Sequence, residues 1–553
     1  MKIKNALLSL TAIFSFATIS VAQNLNVTLQ AHLPYTGYTC ANICGYVDTA
    51  NNEYALVGSS QGLSIVNVTN PNTPISVFQH TGPTGSQALW QEIKVRGKYA
   101  YVTTEAGGGL QIFNLSTLPN ASGITMHSYT GDGTIAGQLN SIHALHIEGN
   151  YAYLYGSNLF NGGAIAVNLT DPWNPIYEGH YSIGVSNNDS YVHDGYVRND
   201  TLYAGHIYTG RCSVVDFTDK ANPIELANFN TPNNFTHNTW LSSDSKTLFT
   251  TDEVDDSYLT SYDISDIGNI TELDRIQSNP GSNSMVHNTH IISVGGNDYA
   301  VTSWYKDGFT IVDAGRPHNL IQVANYDTYS GTGGGSVGAW GVFPYFPSGT
   351  IVVSNINEGL FVFSPNYVRA CYLEGNVTDS ITGLPISNAS IEILTTTAFD
   401  NSKLSGEYAT GVPSPGGTYS VQYSKAGYVT KIISGISLSA GQVALQDVQL
   451  APLTAFALSG KVVEQGTSTG IPNAHVRINS PIYDYQTTAD ANGNFTLPAV
   501  YADNYSLTAG KWGFVTNCSQ TQTINPSSFI TIELEKGYYD DFTFNFNWTT
   551  SGS

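Results

Sequence analysis

Charge is what this chain has least of. Charged residues fill 11 % of its 553 positions, under half the share usual in a soluble domain. Positive charge is the scarcer sign: 20 Lys and Arg stand against 42 Asp and Glu, a formal charge of −22 at neutral pH. Nucleic acid and anionic lipid surfaces both reward clustered positive charge, so neither is an expected partner. Cysteine is scarce too, with five residues: Cys40, Cys44, Cys212, Cys371 and Cys518. They are too few and too scattered for a disulfide scaffold, and they form no C-x-x-C pair or zinc-ribbon spacing. An odd number in an exported chain leaves one thiol over or joined to another molecule. Cys40 and Cys44 could bridge each other or reach elsewhere.

Other residues are plentiful. There are 54 Gly and 35 Tyr, with 41 % apolar and 12 % aromatic residues, enough to fill a core and to exclude disorder. The mixture suits a β-rich extracellular protein solvated by hydroxyls and amides. The opening MKIKNALLSLTAIFSFATISVAQN has Lys2 and Lys4, an apolar run from Ala6 to Ile19, and small residues at Ser20 and Ala22. It reads as a signal peptide over 1–22, cut before Gln23, with no stop-transfer segment after it. The expected location is extracellular or at the cell surface, with no transmembrane segment after cleavage.

One apolar strand ending in Asn or Asp recurs: LSIVN to Asn67, LQIFN to Asn114, AIAVN to Asn168, CSVVD to Asp216, LTSYD to Asp263 and FTIVD to Asp313. A seventh copy, LFVFS, ends at Ser364, and the intervals run from 47 to 54 residues. Each copy follows a Tyr/Ala-rich strand such as EYALVGS or KYAYVTT, and most precede a proline-marked turn and a further strand. Four short strands per repeat, seven times over, predict a seven-bladed β-propeller over 23–368. The seventh copy lacks its fourth strand, and NVTLQAHLPY near the N-terminus resembles the missing piece. It would close the ring and remove a sheet edge.

The strand seen as SIVNV, SVVDF and TIVDA resembles the LVIVD-repeat family. The segments YVHDGYV, FTHNTWL with TTDE, MVHNTHI and GAWGVFPYFPSG with NEGLFVF resemble the bacterial surface proteins grouped as choice-of-anchor B. The resemblance covers about residues 40–365. It implies a secreted or surface-attached propeller and no particular reaction.

Aligned on the Asn/Asp marker, one slot of the innermost strand stands out. His143, His193, His237 and His287 lie 25, 23, 26 and 26 residues before their markers, and Trp90 and Trp340 each lie 24 before theirs. Asp194, Asn238 and Asn288 follow three of the histidines directly. The next strand runs antiparallel, so its end neighbours the start of the first. Those ends carry Glu105, His206, Asp252 and Glu253, which are therefore expected to join the slot at one end of the channel.

Three readings of this set stay open. His193, His237, His287 and Glu253 could bind a divalent cation, imidazole favouring Zn, Fe or Ni and carboxylate favouring Ca or Mn. The histidines and their Asn/Asp neighbours could instead latch adjacent blades by hydrogen bonds. Or the set lines a metal-free pocket, with His193, His237 or Glu253 carrying protons. GSSQG (58–62) and GGSVG (334–338) fit G-x-S-x-G but lack its strand–turn–helix setting. DANGN (490–494) starts like a calcium loop, yet Tyr501 stands where the twelfth-position Glu belongs, so a hairpin turn is expected.

After Cys371 come two related segments, 371–452 and 453–536, of alternating strands with Gly, Asn and Pro turns. Both resemble carboxypeptidase regulatory-like domains, small prealbumin-like β-sandwiches; the first has LSGEYAT in place of the D-x-x-G-x-F turn. Residues 537–553 read as the start of a further, truncated β domain, which would leave any envelope attachment to a missing C-terminal region. The expected architecture is all-β. The leading functional expectation is a secreted or surface non-enzymatic binding or adhesion protein for an extracellular glycan or protein. The propeller would recognise, and the sandwiches would act as a stalk with carbohydrate affinity. The alternative is a metal-assisted hydrolase or lyase acting at the channel.

Overall fold

The computed structural model describes residues 24–184, 186–331 and 335–537, together with Phe544 and Phe546. The expected leader 1–22, all of 537–553 except Gly537, Phe544 and Phe546, and Gly334 of the second G-x-S-x-G match lie outside them.

The Asn/Asp marker recurs because it ends a strand. In six blades its side-chain oxygen accepts the N–H two residues on, from Thr69, Ser116, Thr170, Thr218, Ser265 and Gly315, at 2.7–3.1 Å. This Asx turn stops the third strand and aims the chain into the fourth. Replacing Asn114 by Ala is expected to cost about 1 kcal/mol, read as a lower denaturation midpoint with unchanged slope.

Residues 24–365 form seven antiparallel sheets of four strands, one of them extended by a fifth. Blade one comprises Cys40–Val47, Glu53–Ser59, Gly62–Asn67 and Ile75–Gln79. The inner strands of blades two to seven are Ile93–Arg96, Ala144–Glu148, Asp194–Arg198, Thr236–Leu241, Thr289–Val294 and Ala339–Phe343. Each lies beside the next, and the seventh lies beside the first, which closes the ring. Second strands such as Glu53–Ser59 are buried along their whole length because both faces meet neighbouring blades. Outer strands alternate, as in Ile224–Asn230.

Blade seven is completed from the N-terminus. Val27–Leu33 pairs antiparallel with Gly359–Pro365, in register from Val27 opposite Pro365 to Leu33 opposite Leu360. Just before it, Asn24–Leu25 adds the fifth strand to blade six. The four described cysteines are free and buried. Burial pushes the Cys40 thiol up to about 12 and that of Cys44 up to about 11, so both stay protonated and pack as small apolar groups.

The C-terminal strands make two pairs of sheets. In the second pair, Leu458, Val462, Phe495 and Ile530 from one sheet share a core with Val476, Ile478, Tyr505 and Leu507 from the other. That shared core defines a sandwich. In the first pair, the Tyr408 hydroxyl meets that of Tyr423 at 3.0 Å and donates to the Gln446 carbonyl at 2.6 Å. Gly406, at φ +84°, makes the turn where LSGEYAT departs from the D-x-x-G-x-F pattern. DANGN is a hairpin turn: Asp490 accepts the N–H groups of Asn492 and Asn494, each at 2.8 Å, and Gly493 has φ +79°. GSSQG likewise spans the hairpin between Glu53–Ser59 and Gly62–Asn67. Among the described residues no helix is long and apolar enough to cross a membrane.

Candidate functional site at the channel mouth

The slot residues gather as the alignment implies. Ring centroids run His143 to His193 at 4.0 Å, His193 to His237 at 4.4 Å, His237 to His287 at 4.2 Å and His287 to Trp340 at 4.6 Å. Trp90 lies 4.9 Å beyond Trp340. Six blades thus contribute one aromatic ring each. His237 and Trp340 sit at β-bulges, where the ladder skips a residue and re-aims a side chain.

Hydroxyls of the preceding blade pin the ring's backbone. Thr103, Thr251 and Ser303 donate to the carbonyls of His143, His287 and Trp340 at 2.9, 2.6 and 2.8 Å. At the corresponding place beside His237 stands Gly205, where a Cβ would come within 2.9 Å of the His237 carbonyl. The six rings line a cavity of about 20 Å³ together with Gln91, Ala144 and Asp194. That is room for one water or one ion.

Protonation differs around the ring. Burial lowers the pKa of His143, but the Glu105 carboxylate 2.6 Å from its Nδ1, together with the charges of Asp194 and Glu253, leaves it raised. Burial, then the neighbouring imidazoles, holds His193 and His237 well below their usual range. Burial lowers His287 to about 3. These three are neutral at pH 7. His287 Nδ1 donates to the Trp340 carbonyl at 2.7 Å, which fixes its lone pair on Nε2.

Glu253 stands over this arc. Its oxygens lie 3.6 Å from His237 Nε2 and 3.9 Å from His287 Nε2, and burial pushes its pKa up to about 7. The Tyr305 hydroxyl donates to it. Tyr305 has φ +43°, a strained value for a bulky residue, and is held there by two backbone hydrogen bonds with Ala339.

Beyond the ring, Asn238 donates to Asp194 at 2.7 Å and accepts from the backbone N–H of Thr289 at 3.1 Å, latching blades four, five and six. Asn288 is buried here too, its Oδ1 without a partner. The hydrogen-bond reading of the Asp/Asn positions therefore holds for Asp194 and Asn238.

Two residues belong elsewhere. His206 gives Nδ1–H to the Tyr191 carbonyl at 3.1 Å and lies against Tyr181. Asp252 accepts from Thr231 Oγ1 and from the N–H groups of Asn233 and Phe235, each N–H at 3.1 Å, capping the loop before its own blade. Side chains alternate along a strand, so Asp252 and its neighbour Glu253 face opposite ways and only Glu253 reaches the channel.

The alignment also missed a deeper layer. Glu92 pairs with Lys94 and accepts from Asn42 of blade one. Further along, His146, Tyr196, Trp240, His290 and Tyr345 form a second aromatic set, with Trp240 and His290 centroids 4.4 Å apart. His146 and His290 follow His143 and His287 by three residues, a spacing the repeats already displayed.

The carboxypeptidase regulatory-like domain model matches residues 372–451 and 457–535, and the LVIVD repeat model matches 90–117 in blade two. A solved β-propeller domain from Myceliophteria thermophila is similar to 59 % of this chain and 96 % of its own, at 11 % identity and TM-score 0.41. No curated protein matches the chain. The chain is an all-β protein: a propeller with an LVIVD-repeat match in its second blade, followed by two segments that match the carboxypeptidase regulatory-like domain.

Proposed function

We propose that this is an exported, non-enzymatic binding protein, displayed at the cell surface in the manner of the choice-of-anchor B proteins it resembles. Its propeller recognises an extracellular glycan or protein, and its sandwiches serve as a stalk with carbohydrate affinity. The observation that carries the reading is the size of the channel site. At about 20 Å³ it is more than tenfold below the roughly 300–1,000 Å³ of pockets that enclose organic ligands. Recognition then falls to the loops and edges of the blades. A net charge of −22 suits solubility outside the cell and disfavours anionic partners.

The test uses the full chain on glycan and extracellular-protein arrays, beside a panel of ester, glycoside and uronate substrates. Saturable binding without turnover, unchanged in Glu253→Gln, is the expected result. Turnover that disappears in Glu253→Gln would establish the hydrolase or lyase alternative instead.

A further inference from the structure

We propose that His193, His237 and Glu253 hold one first-row transition metal ion of the zinc, iron or nickel class, tying blade four to blade five. This goes beyond the surface-recognition reading and does not depend on it.

The donors are already assembled. Each of the three residues offers one ligand atom, and these atoms all lie within 4.8 Å of one another. The pair His237 Nε2 and Glu253 Oε2 is 3.6 Å apart. Donors placed tetrahedrally at zinc-like bond lengths stand about 3.3 Å from each other. Closing the set to that spacing takes inward movements of up to about 1.5 Å and leaves a fourth position open.

The hydrogen-bond pattern asks for a positive centre at this point. The Trp340 carbonyl takes the Nδ1 proton of His287, so the Nε2 lone pair of His287 faces a Glu253 oxygen at 3.9 Å, acceptor against acceptor. Among the described residues no protein group accepts from or donates to His193 Nδ1 or His237 Nδ1, both buried, so neither ring is committed to the tautomer that would block Nε2 as a ligand. Tyr305 supplies a single hydroxyl to Glu253, which leaves the other carboxylate oxygen facing His237.

The donor chemistry selects the ion. Ca²⁺ wants six to eight oxygens and Mg²⁺ an octahedral oxygen shell, whereas this set offers two imidazoles and one carboxylate. That combination suits borderline first-row ions. On the carboxylate side the outer shell is in place: Tyr305, held against Ala339, orients Glu253, and Thr251 fixes the backbone of the neighbouring His287. His287 Nε2, from blade six, stands beside the set as a fourth donor.

The test is cobalt titration of the full chain after chelator stripping and dialysis, read by visible absorption and by thermal melting. One Co²⁺ per chain with d–d bands and a higher Tm is expected, with zinc competing. His193→Ala and His237→Ala should each weaken binding by more than the roughly 10–100-fold that loss of an outer-shell partner costs. Glu253→Gln, nearly the same shape, should keep the fold and lose the bands, and His127→Ala on an outer strand should change nothing. A folded, stripped chain without d–d bands, bands that survive all three ligand substitutions, or stabilisation by Ca²⁺ but not by Co²⁺ would each overturn the proposal.

Discussion

A chain that begins at Tyr35, without residues 24–34, is expected to lose its folded propeller. Val27–Leu33 is the outer strand of blade seven. Its Ala31 and Leu33 pack on a cluster that includes Val352, Leu360 and Val362. Removing it opens the edge of Gly359–Pro365, a run containing Leu360, Phe361, Val362 and Phe363, all buried. Each such side chain contributes about 1.5–3 kcal/mol when fully buried, and a whole domain is stable by only about 5–15 kcal/mol. The bare edge also offers unpaired backbone groups to another chain. Size-exclusion chromatography should show aggregates, and calorimetry should show no cooperative transition. A peptide of residues 24–34 added in trans should restore both. A monomer with an unchanged melting temperature would mean that blade seven is stable with three strands.

The second large effect concerns the layer beneath the ring. Glu92→Ala leaves Lys94 in the channel without its carboxylate and Asn42 without its acceptor. Removing one partner of a buried pair costs about 3–5 kcal/mol. The Lys94 side chain keeps 23 % of its exposure, so the lower end, about 3 kcal/mol, is expected. Glu92→Gln with Lys94→Met should recover most of that loss, because the pair disappears together. Chemical denaturation of the two variants decides the matter. A double variant no more stable than Glu92→Ala would show that Lys94 has another essential partner.

Much of the fold was legible because its repeats are cut by a local device. An Asn or Asp that accepts the N–H two residues on leaves a visible mark in sequence, and six of seven blades carry it. The closing strand was legible for a different reason: blade seven visibly lacked one. The ring of His143, His193, His237 and His287 with Trp90 and Trp340 follows from a constant offset to that mark. His206 and Asp252, at strand ends, turn to partners outside the ring, the Tyr191 carbonyl and the 231–235 loop; beside Asp252 a bulge in the paired strand shifts the register. Glu92 and Lys94 escaped notice because they lie in a blade whose slot is Trp90, and charge pairing across blades has no signature along one strand. The pairing of Cys40 and Cys44 was open in sequence, and the fold places both as free, buried thiols within Cys40–Val47.

The most direct test of the account is anomalous diffraction from crystals of the full chain, purified without chelator, with data on both sides of the absorption edge of the metal it retains. The expected result is one anomalous peak bounded by His193, His237 and Glu253, with His287 still donating to the Trp340 carbonyl. Density there for water alone, in a chain whose ring is otherwise intact, would contradict it.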